Sequence, residues 1–230
     1  MHRLWRATLW VIAAFVGGSV TLVLLLAVLP PPTSAFMLGS RVNALLAGDT
    51  EYRNRYEWVP LERISANAAV AVIASEDQLF SEHFGFDVES IRKAVDHNAK
   101  GRRVRGASTL TQQVAKNLFL WSGRSWLRKG VEAWFTVLLE TLWPKTRILE
   151  VYLNVAEFGR GTYGVQAASK RFFGKDAARL TRREAARLAA VLPSPRRMRV
   201  DRPSPYVQRR TESILGQMRA IGGTAYLREL

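Results

Sequence analysis

The apolar positions of this chain begin as one block. From Ala7 to Ser40 no residue is charged, and Thr8 to Leu29 is nearly all aliphatic or aromatic. A helix over those 22 residues is roughly 33 Å long, enough for a hydrocarbon core of about 30 Å. Arg3 and Arg6 precede it, which favours an N-terminus inside the membrane and the remainder outside. Pro30-Pro31-Pro32 stops the helix. A cleaved signal peptide is the competing reading, but its apolar core is about 7–15 residues long, and only a weak Thr33-Ser34-Ala35 site follows here. The expected organisation is a short cytoplasmic N-terminus over 1–7, an uncleaved transmembrane anchor over 8–29, a linker over 30–55 and one folded domain over 56–230.

Within that domain the apolar spacing is helical. Trp58-Val59-Pro60-Leu61 reads as an extended lead-in, and Asn67 to Phe80 as an alanine-rich helix carrying Val70, Val72 and Ile73. Thr109 with Gln112 three residues on makes a capping box and opens the next helix. Ser125 to Trp143 is apolar round most of its circumference, so it is buried or touches lipid. Lys145 to Glu157 carries the stripe Ile148, Leu149, Tyr152 and Leu153, followed by a tight glycine-rich loop from Phe158 to Gly164. Val165 to Phe173 is a short helix. Thr181 with Glu184 caps a helix to Leu192, which Pro193 and Pro195 end, and Ser204-Pro205 starts a last helix to about Arg219. No stretch reads as a convincing sheet, so the domain is expected to be mainly α.

Charge narrows the partner. The net charge is +15 with a pI near 11.0, and there is no cysteine. Disulfides and cysteine metal sites are therefore excluded. An excess of this size calls for a polyanion, nucleic acid or an anionic lipid surface, and the anchor decides for lipid. The excess is also local. Between Asp96 and Glu132 there is no acidic residue, while Lys100, Arg102, Arg103, Arg105, Lys116, Arg124, Arg128 and Lys129 all fall in the gap. Gly106 supplies a hinge before the capped helix, whose positive dipole end suits an anion. Thr109, Gln112, Gln113 and Lys116 share one face of it by their spacing.

Two acids stand out. Glu76 comes near the end of a buried-looking helix, where the dipole disfavours it. Glu132 interrupts an apolar helix surface; Arg128 and Lys129, four and three residues before it, make a local ion pair the plain alternative. His83 reads as structural.

Together these residues resemble the peptidoglycan glycosyltransferase family, lysozyme-like enzymes that polymerise lipid II. Glu76-Asp77-x-x-Phe80-x-x-His83-x-Gly85 matches its first motif. Gly106-x-Ser108-Thr109-x-Thr111-Gln112-Gln113-x-x-Lys116-Asn117 matches the second and Arg128-Lys129-x-x-Glu132 the third. Ile148-Leu149-Glu150-x-Tyr152-Leu153-Asn154 with Phe158-Gly159 and Gly164 matches the fourth. Glu184-Ala185-Ala186-x-Leu188-Ala189 with Pro193-x-Pro195 matches the fifth.

The resemblance implies a lysozyme-like domain that joins lipid II into β-1,4-linked glycan with release of polyprenyl diphosphate. Glu76 is then the base for the acceptor hydroxyl, and Glu132 orients the donor diphosphate. Lys116, Arg124 and Arg128 hold that diphosphate, while Ser108, Gln112 and Asn117 complete the polar lining. No residues are assigned as metal ligands, and a divalent cation, Mg or Mn, is left open as a cofactor. The implied partners are lipid II, the growing glycan chain, membrane lipid and other wall-building or divisome proteins, not nucleic acid. The implied location is the inner membrane, with the catalytic domain on its periplasmic side. No transpeptidase activity is expected, because the last helix leaves no room for a penicillin-binding domain. A lytic enzyme on the same polymer is the nearest rival, but it needs a protonated acid rather than a diphosphate-sized cation cluster. A tethered polyanion-binding scaffold is the other; it has no use for two separated acids in apolar helices.

Overall fold

The structure, a computed structural model, describes residues 2–99, 108–123 and 125–230. Gly106 and the cations Lys100, Arg102, Arg103, Arg105 and Arg124 lie outside the described residues. Among the described residues there are ten α-helices and three short strands. In chain order they are α1 His2–Val28, α2 Ala35–Leu46, β1 Arg55–Tyr56, α3 Ala66–Glu76, α4 Val88–Ala99, α5 Leu110–Phe119, α6 Trp126–Leu142, α7 Lys145–Val155, β2 Glu157–Gly159, β3 Thr162–Tyr163, α8 Val165–Phe173, α9 Arg182–Val191 and α10 Pro205–Ala220.

Helix α3 is the hub, with every side chain from Ala68 to Ala74 buried. Small residues on all its faces let α9, α10 and the C-terminal 3-10 segment Gly223–Glu229 pack closely around it. Helix α5 packs on α6 and α7, burying Leu110, Val114 and Leu118 on one side. Phe119 stacks on Phe135 of α6 with ring centroids 4.2 Å apart.

The expected helices are present, with informative differences at their ends. Helix α3 stops at Glu76 rather than Phe80, because Asp77 leaves the helical conformation, at φ −160° and ψ 79°, and spends its carboxylate elsewhere. Helix α7 stops at Val155, and Glu157 enters a strand. A sheet exists after all: β3 lies between β1, parallel to it, and β2, antiparallel to it. Its strands are too short for an alternating pattern to mark them.

The stretch expected as a linker contains α2. Ser34 caps that helix through Met37 N, Met37 is buried, and Ser40 bonds the Tyr163 hydroxyl at 2.7 Å. The first helix begins at His2, so residues 2–7, expected as a separate short N-terminus, are part of α1.

Helix α1 is long and apolar enough to cross a membrane, with mean hydropathy 2.6 within Trp5–Val28. It is not free of the domain. The Trp134 indole donates to Ser19 Oγ at 3.1 Å, and the Trp143 indole to the Val23 carbonyl at 2.8 Å. Arg147 donates to the Leu26 and Leu29 carbonyls, which satisfies groups that a helix end leaves unpaired.

Candidate active site

The glycine-spaced turn that ends α3 and the capped start of α5 meet over a cleft of about 1000 Å³. Glu76, Asp77, Ser108, Gln113, Lys116 and Arg210 are among its lining residues. Asp77 joins the two elements. It is buried, its Oδ2 accepts from Leu110 N at 2.9 Å, and its Oδ1 meets His83 Nε2 at 2.8 Å. A carboxylate on the first amide of α5 satisfies an unpaired donor and suits the helix dipole. His83 thus has the structural role expected of it, and its carbonyl accepts from Lys145 Nζ at 2.6 Å.

The Thr109–Gln112 capping box forms as expected. Its consequence for Gln112 was not expected. Gln112 Oε1 accepts from Thr109 N at 3.1 Å and the residue is 3% exposed, so it faces inward and does not line the cleft. Its neighbour does. Gln113 Nε2 donates to Glu76 Oε2 at 3.0 Å, and Gln113 Oε1 accepts from the Tyr152 hydroxyl at 3.2 Å. Burial, and after it the charges of Glu76 and Asp77, hold the Tyr152 hydroxyl well above its usual range. It stays protonated as the donor, which fixes the amide's orientation. Ser108 is exposed at the cleft. Asn117 is half-buried and does not line it.

Glu76 therefore has two unlike oxygens. Oε2 is held by Gln113, whereas Oε1 faces Arg210 Nη2 at 3.6 Å, beyond hydrogen-bond range. Burial pushes the carboxyl up from its ordinary value; the Gln113 hydrogen bond and the charges of Arg210 and Lys116 pull it part of the way back.

Lys116 is half-buried and, among the described residues, its ammonium makes no hydrogen bond or ion pair; it lies 5.6 Å from the centre of the Phe36 ring. Burial pushes it down, while the charges of Glu132 and Glu76 pull it back up. The cation thus sits within the field of both acids.

Glu132 has a 4% exposed side chain, and each of its oxygens is occupied: Oε2 by Arg128 Nη1 at 2.7 Å and Oε1 by Lys129 Nζ. The local ion pairs read from spacing are real, and they gather two cations on α6. Among the described residues no three histidine, aspartate or glutamate side chains converge as a metal cage. Glu132 is engaged by two cations, and Asp77 by His83 and an amide.

A serine–lysine pair at acyl-transfer spacing, Ser90-Ile91-Arg92-Lys93, lies on α4. Its lysine pairs with Glu89 at 2.5 Å, both side chains exposed.

A family model described as Transglycosylase matches residues 43–219. This chain belongs to the transglycosylase family. A biosynthetic peptidoglycan transglycosylase of Xanthomonas campestris pv. campestris is 54% identical over 229 residues, covering 98% of this chain and 93% of that protein. The protein of the same name from Xanthomonas oryzae pv. oryzae is 56% identical over 225 residues, 96% of this chain and 92% of its own length. That of Pseudomonas putida is 54% identical over 230 residues, 100% and 95%.

Several transglycosylase motif residues prove architectural. Asn154 pairs through its amide with both Val59 N and Val59 O at 2.9 Å, and Glu150 accepts from Leu61 N at 3.1 Å, holding the extended lead-in. Thr111 bonds Glu140 at 2.5 Å, and Lys145 bonds the same carboxylate at 2.9 Å. Three groups of the site, two lining the cleft and one buried behind it, gave no clear signal in the sequence. Gln113 lay on the right helix face but was not separated from Gln112; Tyr152 read as part of an apolar stripe; Arg210 gave no signal, being one of two adjacent arginines on a surface helix.

Proposed function

We propose that the chain polymerises lipid II, transferring the growing glycan from polyprenyl diphosphate to the 4-hydroxyl of the next disaccharide. The observation that carries this is Lys116: a cation drawn out of water in the cleft, beside the proton acceptor Glu76, with no anion in contact among the described residues. Such a charge costs free energy unless an anion arrives to meet it. A diphosphate leaving group is that anion, and it needs no acid to depart.

The chemistry follows from the cleft. The acceptor hydroxyl gives its proton to Glu76 Oε1 as its oxygen bonds to C1 of the donor sugar, from the face opposite the diphosphate. The C1–O bond to phosphorus breaks, and its electron pair leaves on the diphosphate. Lys116 and Arg128, with Arg124 beyond the described residues, oppose the charge that develops there. Ser108 is a hydroxyl at the cleft wall for the sugar or phosphate oxygens. Glu132 orients the diphosphate through the cations it gathers, Arg128 and Lys129. Gln112 serves the site indirectly, by fixing the turn that carries Ser108.

The domain is proposed to work at the outer face of the inner membrane, anchored by α1. Trp134 meets α1 at Ser19 and Trp143 meets it at Val23, so α6 descends beside the anchor. Its Trp126 and Leu127 are 92% and 73% exposed and would contact lipid. Incubating the purified full chain in detergent with labelled lipid II is the test. A ladder of uncleaved glycan with release of polyprenyl diphosphate is expected. Shortening of preformed glycan without polymer would instead indicate the lytic reaction.

A further inference from the structure

Arg210 of α10 stands against Glu76 from outside the sequence motifs that carry the rest of the site. Its Nη2 is 3.6 Å from Glu76 Oε1, it lines the cleft, and its Nε is buried with no hydrogen-bond partner among the described residues. The contact is close enough for charge to act and too long for a hydrogen bond, so the lone pairs of Oε1 stay available. The groups that face Glu76 are Gln113 and Lys116 from α5, Tyr152 from α7, Arg210 from α10 and its chain neighbour Asp77; Asp87 and Lys93 line the same cleft.

Of these, Lys116 and Arg210 favour the charged carboxylate. Lys116 also lies in the field of Glu132 and its cations, on the side assigned to the diphosphate. Once a diphosphate binds there, its negative charge cancels that of Lys116 as Glu76 sees it. A base that must remain ionised then depends on a cation the donor does not neutralise.

We propose that Arg210 is a positioning residue for the reaction: it keeps Glu76 ionised in the loaded cleft and leaves Oε1 as the oxygen that takes the acceptor's proton. This rests on the reading of Glu76 as the base. The test is the pH profile of kcat, which reports ionisation in the loaded enzyme, for lipid II polymerisation by the full chain in detergent, with KM and melting temperatures, for Arg210→Gln, Arg210→Lys and Glu76→Gln. An opposite charge within 4–6 Å moves a carboxyl by roughly 1–3 pH units. The acidic limb of Arg210→Gln should therefore rise by about one unit or more, with about a tenfold loss one unit below the wild-type limb and a rate within about threefold of wild type above the new one. Arg210→Lys should fall between the two, which supplies the test if the glutamine variant does not fold. Equal loss at every pH with the limb unmoved, or a raised KM with the limb unmoved, overturns the proposal. An inactive Glu76→Gln beside an unmoved Arg210→Gln limb sinks Arg210 alone; an active Glu76→Gln sinks the base and this inference with it.

Discussion

Glu76 ionises in surroundings that oppose its charge, because burial outweighs the cations and the amide that help it. Its folded pKa lies above the ordinary carboxylate value, so the fold favours the protonated form. That contribution to stability is complete at pH below the ordinary value and is lost as pH rises through the folded value. Glu76→Gln, which keeps size and one donor–acceptor pair, should thus melt higher than wild type at pH 7, and the advantage should vanish near pH 4. Its turnover should fall by about 10²–10⁴, the usual worth of a general base. Lys116 follows the same logic with opposite charge, since burial depresses its pKa. Lys116→Met should lose about 1.5–3 kcal/mol of charge-assisted binding, read as at least a tenfold drop in kcat/KM, without a lower melting temperature. Calorimetry beside a lipid II assay checks both; a large stability loss in either variant would mean the residue holds the fold rather than the reaction.

At the scale of elements, backbone chemistry decides what each turn tolerates. Gly164 opens α8 at φ 82° and ψ 150°, a region essentially restricted to glycine, and a Cβ there would lie 2.6 Å from the Asn154 carbonyl. Gly164→Ala should cost at least about 1–3 kcal/mol from strain alone. It should also loosen Asn154, and with it the lead-in at Val59. Gly216 sits inside α10 with open space around its Cα. Gly216→Ala should stabilise by about 0.5–1 kcal/mol; if the two alanines shift the melting temperature alike, this local account fails. The same backbone rules explain what the sequence disclosed. Helices α5, α9 and α10 announced themselves because a side-chain oxygen caps each of them. Helix α2 did not, since its apolar residues continue the uncharged run of the anchor. Glu76, Glu132 and Lys116 were legible because a charge in an apolar setting is conspicuous in one dimension. Gln113 was not, because which of two adjacent amides turns outward depends on the capping box consuming the other. Arg210 was not, because only the packing of α10 on α3 brings it to the cleft.

For the whole molecule the open choice is whether α1 is an inert tether or a part of the fold. A tether leaves the domain unchanged when it is removed. Here Val23 is fully buried and Ser19 nearly so, two tryptophan indoles of the domain end on α1, and Arg147 ends on its last carbonyls while lying 5.1 Å from the Trp58 ring and 5.8 Å from that of Trp143. Deleting residues 2–29 uncovers this seam. Re-exposing a side chain the size of Val23 costs about 1.5–3 kcal/mol, and each kcal/mol moves the melting temperature of a chain this size by about 2–4 °C. The truncated protein in detergent should therefore melt at least about 3 °C below the full chain. Its turnover on lipid II should fall by more than the unfolded fraction explains, because α6 carries Glu132 and Arg128 and loses the helix it packs against. Melting curves of both forms in the same detergent, beside single-turnover rates, distinguish the cases. Equal melting temperatures and equal rates would make the anchor a tether only, and the contacts along Ser19 and Val23 incidental to the fold.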